Sequence, residues 1–458
     1  MFARGLIVAG LFLTIGGTLI PVARMARADR RYLLLVMAVA LAVRLVLVLS
    51  LQHFHPWSLG RGAVTPDELG AEHAALTYRP GHSASLQVIT GSLYTAWVYL
   101  AWAVYGLWKS LLALKLVNIA FGVVTVVPGY LLAADVAGRA VARVAAWFVA
   151  LLPTGVVWSV LGLRDTFIVY LIVVFLFAVN RLVSQRQAAL PETFGLVLLA
   201  AAVLLVMTFT RGYMVPLLLG LAGLEGLVSG LAGRHLRPVL SAVAVGVVAF
   251  GAITALPQGR AITLNTTNLL SSSDDNVYDP FTSCSATGTC VTTTTVAASP
   301  RPPSAGPPPS SAPLTASLQS VSRKGVVKAF AIAVLDGRPV WRRAEYFFML
   351  QPGVWIWWAA LPLVVAGLVA LLARRAWAAG VLLGSYCLAI VIFLAVTGQF
   401  IRHHYMMEIP AGILAAVGVV ALPRAAPRAR WVTVAACVAM AAAATGSVLL
   451  SLVHPATY

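Results

Sequence analysis

Apolar residues run in blocks of roughly 17 to 25 along most of the chain, and short basic clusters separate them. Runs of that length suit helices crossing the hydrocarbon core of a bilayer, where every backbone polar group must be satisfied within the helix. The pattern predicts an all-α fold, a polytopic transmembrane helical bundle of about twelve spans with extracytoplasmic loops and juxtamembrane helices. The expected spans are Gly5–Ala23, Tyr32–Leu51, Ser110–Ala133, Ala140–Trp158, Thr166–Val183, Thr193–Thr210, Tyr213–Gly230, Pro238–Ala255, Gly353–Ala373, Trp377–Val396, Tyr405–Leu422 and Trp431–Leu452. A further stretch, Leu86–Trp108, is long enough to cross, but Tyr94, Trp97, Tyr99, Trp102 and Tyr105 run through it. Aromatics of that kind favour the membrane interface.

The positive-inside rule decides what Leu86–Trp108 does. If it lies along the surface, twelve spans place Arg24, Arg27, Arg30, Arg31, Arg139, Arg143, Arg181, Arg186, Arg234, Arg237, Arg374, Arg375, Arg424, Arg428 and Arg430 on the cytoplasmic side. If it crosses, the last eleven of these fall outside. The surface helix wins. The same topology puts the 53–85 loop, Arg164-Asp165, the 256–352 segment and Arg402-His403-His404 together on the extracytoplasmic face.

Four regions follow: residues 1–255, a membrane module including loop 52–85 and juxtamembrane helix 86–108; 256–324, a Ser/Thr/Pro-rich loop; 325–352, an amphipathic interfacial segment; and 353–458, C-terminal membrane helices. The 256–324 loop has too little apolar surface to offset its ordering entropy and is expected to be largely disordered.

The chain is 60% hydrophobic and only 10% charged, with a formal net charge of +18. In a soluble protein that charge would suggest nucleic acid. Here the arginines sit at span ends as topology signals, so no nucleic-acid partner is expected. Only Lys109, Lys115, Lys324 and Lys328 among the 32 basic residues are lysines, a bias that fits a GC-rich bacterial genome. The expected location is the bacterial cytoplasmic (inner) membrane, multi-pass, with membrane lipids as partners. Gly5–Ala23 is long enough for a signal peptide, but the basic residues behind it read as a cytoplasmic stop. The four cysteines have no zinc spacing; Cys284 and Cys290 could form one bridge.

Against this apolar background, the carboxylates are conspicuous. Thr65-Pro66-Asp67-Glu68 opens like a helix, with an N-cap, Pro at the first position and acids in the first turn. Both acids could merely stabilise that start, or one could act as a general base at the bundle mouth. Arg164-Asp165 stands at the start of an otherwise apolar span, a costly place for charge unless it is satisfied or faces a water-filled cavity. Arg402, His403, His404 and Tyr405 form a third cluster, in which Arg can grip a phosphate bidentately. Lys109, Lys115 and Arg211 are outer-side cations that could equally meet lipid headgroups. Arg44, inside a span, is expected to pair with a loop acid or to snorkel. No Walker loop, dinucleotide fingerprint, HExxH or Gly-x-Ser-x-Gly elbow occurs.

In order along the chain, these features resemble the GT-C superfamily of polytopic glycosyltransferases, in the branch of protein O-mannosyltransferases and lipid A aminoarabinose transferases (glycosyltransferase family 39 type). Arg44 leads to Asp67-Glu68; an aromatic helix ending Val104-Tyr105-Gly106-Leu107 precedes Leu114-Lys115-Leu116-Val117-Asn118. Leu151-Leu152-Pro153 precedes Leu163-Arg164-Asp165, and Gly398-Gln399-Phe400-Ile401-Arg402-His403-His404-Tyr405 is followed by Pro410. Gly70 and Ala71 stand where family members often carry a Tyr.

The resemblance implies a polyprenyl-phosphate-sugar donor and transfer, usually with inversion, to a lipid, glycan or protein acceptor on the extracytoplasmic face. It implies Asp67 as general base, with Glu68 as the alternative. Asp165 would shape the site or, in metal-using relatives, help hold a divalent cation, Mg or Mn. Arg402, with Arg164 or Lys109, would stabilise the leaving phosphate. Two alternatives remain open: a polysaccharide (O-antigen-like) polymerase or ligase, and a lipid-linked sugar transporter or flippase. A transporter would be expected to line the bundle midplane with ionisable residues, where only Arg44 stands out.

Overall fold

The computed structural model describes residues 2–53, 63, 68–69, 72, 76, 95–184, 190–212, 214–233, 236–255, 334, 347–397, 400–425, 435 and 438. Asp67, most of the 53–85 loop, residues 86–94, Cys284, Cys290, the Ser/Thr/Pro-rich loop and nearly all of the span expected at 431–452 lie outside them.

The described residues form helices and no strands. In chain order these are α1 (Phe2–Ala23), α2 (Arg27–His53), α3 (Thr95–Leu107), α4 (Leu111–Val124), α5 (Val126–Ala137), α6 (Arg139–Leu151), α7 (Pro153–Val160) and α8 (Asp165–Ser184). They continue with α9 (Leu190–Arg211), α10 (Met214–Gly233), α11 (Arg237–Thr254), α12 (Phe347–Ala373), α13 (Trp377–Thr397) and α14 (Phe400–Ala425). The chain is an all-α polytopic membrane protein. Nine stretches among the described residues are long and apolar enough to cross a membrane, α4 and α5 together making one; α6 and α7 add a tenth if they form one span bent by 46°. The apolar part of α1, Val8–Ala23, is shorter. The boundary expected at 352/353 falls inside α12, which already begins at Phe347.

The α6–α7 bend has a local cause. Pro153 lacks an N–H and drives the residue before it out of the helical region. Leu152 accordingly sits at φ −56°, ψ 118°, and Pro153 restarts the helix at its first position. At 13 residues, α3 reaches only about 20 Å, shorter than a bilayer's hydrocarbon core; the first part of the stretch expected at Leu86–Trp108 lies outside the described residues. α3 is not a free surface helix, however: Trp97 and Tyr105 are buried, with the Trp97 ring 6.0 Å from Phe167 of α8.

α8 is the axis. Its sequence is apolar on every face, the signature of a helix enclosed by others, and of its residues only Arg181 and Ser184 escape burial. α4, α5, α7, α9, α10, α11, α13 and α14 all pack on it. α12 and α14 cross at close range: a Cβ on Gly367 would run into the Leu414 carbonyl, and one on Gly418 into the Leu363 carbonyl. Small residues at a crossing are how membrane helices gain contact without help from water. On the outside, Leu34, Val46, Val247 and Val365 are exposed, as a lipid-facing belt requires.

The bundle has two unlike ends. At one, Asp29 pairs with Arg139 (3.3 Å) and Arg143 (3.2 Å), Arg181 with Asp135 (3.8 Å) and Glu192 (3.1 Å), and Arg237 donates to Thr193 (3.0 Å). This arginine-rich end gathers residues that the topology placed together. The other end carries the acids of the loop and of the α8 start.

Candidate active site

Glu68, at the site end, is fully buried. Its Oε1 accepts the Gly162 backbone N–H at 2.6 Å and lies 3.1 Å from the Lys115 Nζ, itself without exposure. Lys115 is the fifth residue of α4, whose start is capped by Ser110 accepting the Leu112 N–H at 3.2 Å. Gly162 lies in the turn between α7 and α8, and a Cβ there would meet Leu111 at 3.1 Å and Glu68 at 3.4 Å. The glycine lets the loop carboxylate reach the bundle. A charge pair this dry is costly unless well bonded, and removing one partner is costlier than never having the pair.

Three residues on, Asp165 opens α8, where the helix dipole favours a carboxylate. It is 1% exposed, and its Oδ1 lies 3.6 Å from the Arg211 Nη1 without a hydrogen bond to any described residue. Arg211 ends α9, where a cation suits the opposite pole. Its Nη1 also reaches the Met406 Sδ of α14 at 3.7 Å. Consecutive Cα atoms are about 3.8 Å apart, so Asp165 sits within about 11 Å of the Glu68 contact at Gly162. Arg402 stands one turn before Met406 on α14, about 6 Å along the axis. The structure thus brings Glu68, Arg164, Asp165, Arg211 and the Arg402 backbone to the same end of the bundle. The side chains of Arg402 and His403, and all of Asp67, lie outside what is described.

Arg44 plays a different part from the one expected. It is 1% exposed and meets no acid among the described residues: Nε donates to the Ser159 Oγ at 2.8 Å, and Nη1 donates to the Ala150 carbonyl at 2.7 Å and to the Ala40 carbonyl at 3.1 Å. The break at Leu152 leaves the Ala150 carbonyl without its helical donor, and a buried carbonyl in a membrane needs one. Arg44 supplies it, in space kept by Gly122, where a Cβ would meet Ser159 at 2.8 Å and Arg44 at 3.1 Å. Asn118 does similar work beyond the bend, its Nδ2 donating to the Trp158 (3.1 Å) and Leu161 (2.6 Å) carbonyls. Arg44 and Asn118 fix the bent hairpin whose tip presents Gly162, Arg164 and Asp165.

His404 turns inward. Its Nδ1 is 3.1 Å from Glu408 Oε1, and the Trp357 ring packs edge-on at 4.8 Å. Tyr405 is buried against Gly155. Lys109 is exposed and, with Glu72, Leu76, Tyr105, Ser110 and Leu111, lines an open depression of about 310 Å³ at the start of α4. No three His, Cys, Asp or Glu side chains converge among the described residues. Glu68 and Asp165 each face a cation, so these residues do not make a divalent-metal site by themselves.

Sequence reasoning missed Lys115 as the partner of Glu68, and Asn118 and Ser159 as struts. One signal was available: Lys115 is one of four lysines, set in an apolar run. It also missed Glu225, fully buried within α10 with neither carboxylate oxygen hydrogen-bonded to a described residue. Arg44 is therefore not the sole ionisable residue inside the bundle.

No family model matches the chain, and no curated protein matches it by sequence. Solved structures do match by shape. The archaeal oligosaccharyltransferase AglB from Archaeoglobus fulgidus, in complex with an inhibitory peptide and a dolichol-phosphate, superposes with a TM-score of 0.52 at 16% identity. That match covers 92% of this chain and 55% of the other. The apo form of the Archaeoglobus fulgidus enzyme gives 0.52 at 14% identity over the same shares. The form tethered to an acceptor peptide containing the NVT sequon gives 0.51 at 14%, covering 91% and 54%. The chain spans about 55% of the length of these neighbours and shares the fold of their matched part.

Proposed function

We propose that the protein is an integral-membrane glycosyltransferase that moves a sugar from a polyprenyl-phosphate-linked donor to an acceptor hydroxyl on the extracytoplasmic face. The observation that carries this reading is the gathering of Glu68, Asp165, Arg211 and the start of α14 at the end of the bundle opposite the arginines. The fold shared with an enzyme solved with a dolichol-phosphate and with an acceptor peptide supports it.

Glu68 is committed to Lys115 and the Gly162 N–H, which supports giving the base role to its neighbour Asp67. Asp67 takes the acceptor hydroxyl proton, the acceptor oxygen forms a bond to the sugar's anomeric carbon, and the bond to the phosphate oxygen breaks with inversion. The electron pair leaves on the polyprenyl phosphate. Arg402, with Lys109 or Arg164, meets the growing charge, while the prenyl chain stays in the bilayer. Asp165, held by Arg211, shapes the site.

The test uses the full chain in liposomes with a polyprenyl-phosphate sugar labelled in the sugar. The proposal expects label on an acceptor and free polyprenyl phosphate in equal amounts. Intact donor appearing in the opposite leaflet, with no polyprenyl phosphate released, would replace the transferase reading with a flippase.

A further inference from the structure

α14 carries a proline one turn beyond its contact with the site. Pro410 has no N–H, so the Met406 carbonyl, four residues back, lacks the backbone donor that a helix would otherwise supply. Inside a membrane bundle a carbonyl left that way needs another donor. Tyr386 of α13 provides one: its hydroxyl donates to the Met406 carbonyl at 3.3 Å, and its side chain is fully buried. The ring fills space that a phenylalanine would fill as well. The bond to Met406 needs the hydroxyl.

Met406 is also where α14 meets the candidate site. Its Sδ lies 3.7 Å from the Arg211 Nη1, and the same Nη1 lies 3.6 Å from the Asp165 Oδ1. One residue thus takes the Tyr386 hydroxyl on its backbone and Arg211 on its side chain. Its neighbours are seated too: Tyr405 lies against Gly155 of α7, and His404, 3.1 Å from Glu408, has the Trp357 ring of α12 edge-on at 4.8 Å. α7, α9, α12 and α13 therefore all touch the first turns of α14. The α13 contact falls on the very residue that meets Arg211.

We propose that Tyr386 is a positioning residue for glycosyl transfer. By replacing the donor that Pro410 removes, it fixes the first turns of α14, so that Met406 backs Arg211 and Arg402, one turn earlier, serves the leaving phosphate. Tyr386 acts through Met406 and touches no reacting atom. The inference rests on the proposed transferase reading and on the part given there to Arg402. Sub-ångström errors in aiming such a group are enough to slow a reaction.

The test assays the full chain in liposomes with a labelled polyprenyl-phosphate sugar, reading kcat/KM and melting temperature for each variant. Tyr386→Phe keeps the ring, should stay folded at the assay temperature and should lose about tenfold in kcat/KM. Adding Pro410→Ala returns a backbone N–H to the Met406 carbonyl and should restore most of that loss. In an Arg402→Gln background, Tyr386→Phe should change kcat/KM by less than about twofold, because the group it aims is gone. An unchanged kcat/KM for Tyr386→Phe overturns the proposal, and so does a failure of Pro410→Ala to restore it. Equal fold-losses with and without Arg402 would make the contact structural only and overturn it too. Binding of polyprenyl phosphate alone is measured in parallel. Wild type that binds it but transfers no sugar sets aside the transferase reading; Tyr386→Phe binding it as tightly as wild type then overturns the positioning role separately. Wild type that neither binds nor transfers overturns both.

Discussion

The Glu68–Lys115 pair shows how much a single residue's role depends on what the fold brings to it. Both side chains are without exposure and 3.1 Å apart. Lys115→Met leaves the buried Glu68 without its lysine and should destabilise the protein by about 3–5 kcal/mol, whereas Lys115→Met with Glu68→Gln should recover most of that loss. Thermal unfolding of the single and double variants checks this; additive losses would show the two charges to be uncoupled. Arg44→Lys tests a second case. A lysine carries the charge but not the fork that serves Ser159 and Ala150 together, and a loss of about 1.5–3 kcal/mol is expected from hydrogen bonds to a charged group. An unchanged melting temperature would mean that the Ala150 carbonyl finds another donor. Arg44 and Lys115 were visible in the sequence as charges in apolar runs. Their partners were not, because a carbonyl released by a bend and a carboxylate from a distant loop exist as neighbours only after packing.

At the scale of elements, what was legible had a local cause. Pro153 announces the α6–α7 break, and α3 is a short aromatic helix within the stretch Leu86–Trp108, over its described part. Pairwise packing was not legible, since Gly367 and Gly418 look like any glycines in an apolar run until α12 and α14 cross on them. Gly367→Leu should cost about 1–3 kcal/mol or more by forcing the Leu414 backbone away, read as a lower melting temperature; an unaffected one would mean the two helices can part freely. Glu225 points the other way. Neither of its oxygens meets a hydrogen-bond partner among the described residues, and a buried polar group without one costs about 1–3 kcal/mol. Glu225→Leu should therefore raise the melting temperature, and a marked drop would reveal a role for that carboxyl in holding α10.

For the molecule as a whole, apolar periodicity and arginine placement foretold the all-α membrane class and the gathering of Arg139, Arg143, Arg181 and Arg237 at one end. They also foretold that the loop acids, Asp165 and the start of α14 would lie at the other. The sequence did not reveal that Glu68 turns inward, because helix-start chemistry suits either acid of the Asp67-Glu68 pair. Glu68 ties the loop to the bundle, and under the proposed function its neighbour Asp67 serves the substrate. The most direct test is turnover of a polyprenyl-phosphate sugar by Asp67→Asn and Glu68→Gln, each measured with its melting temperature. Asp67→Asn should lose about 10²–10⁴-fold in rate with stability unchanged, while Glu68→Gln should lose stability first. Asp67→Asn turning over at the wild-type rate would contradict the account.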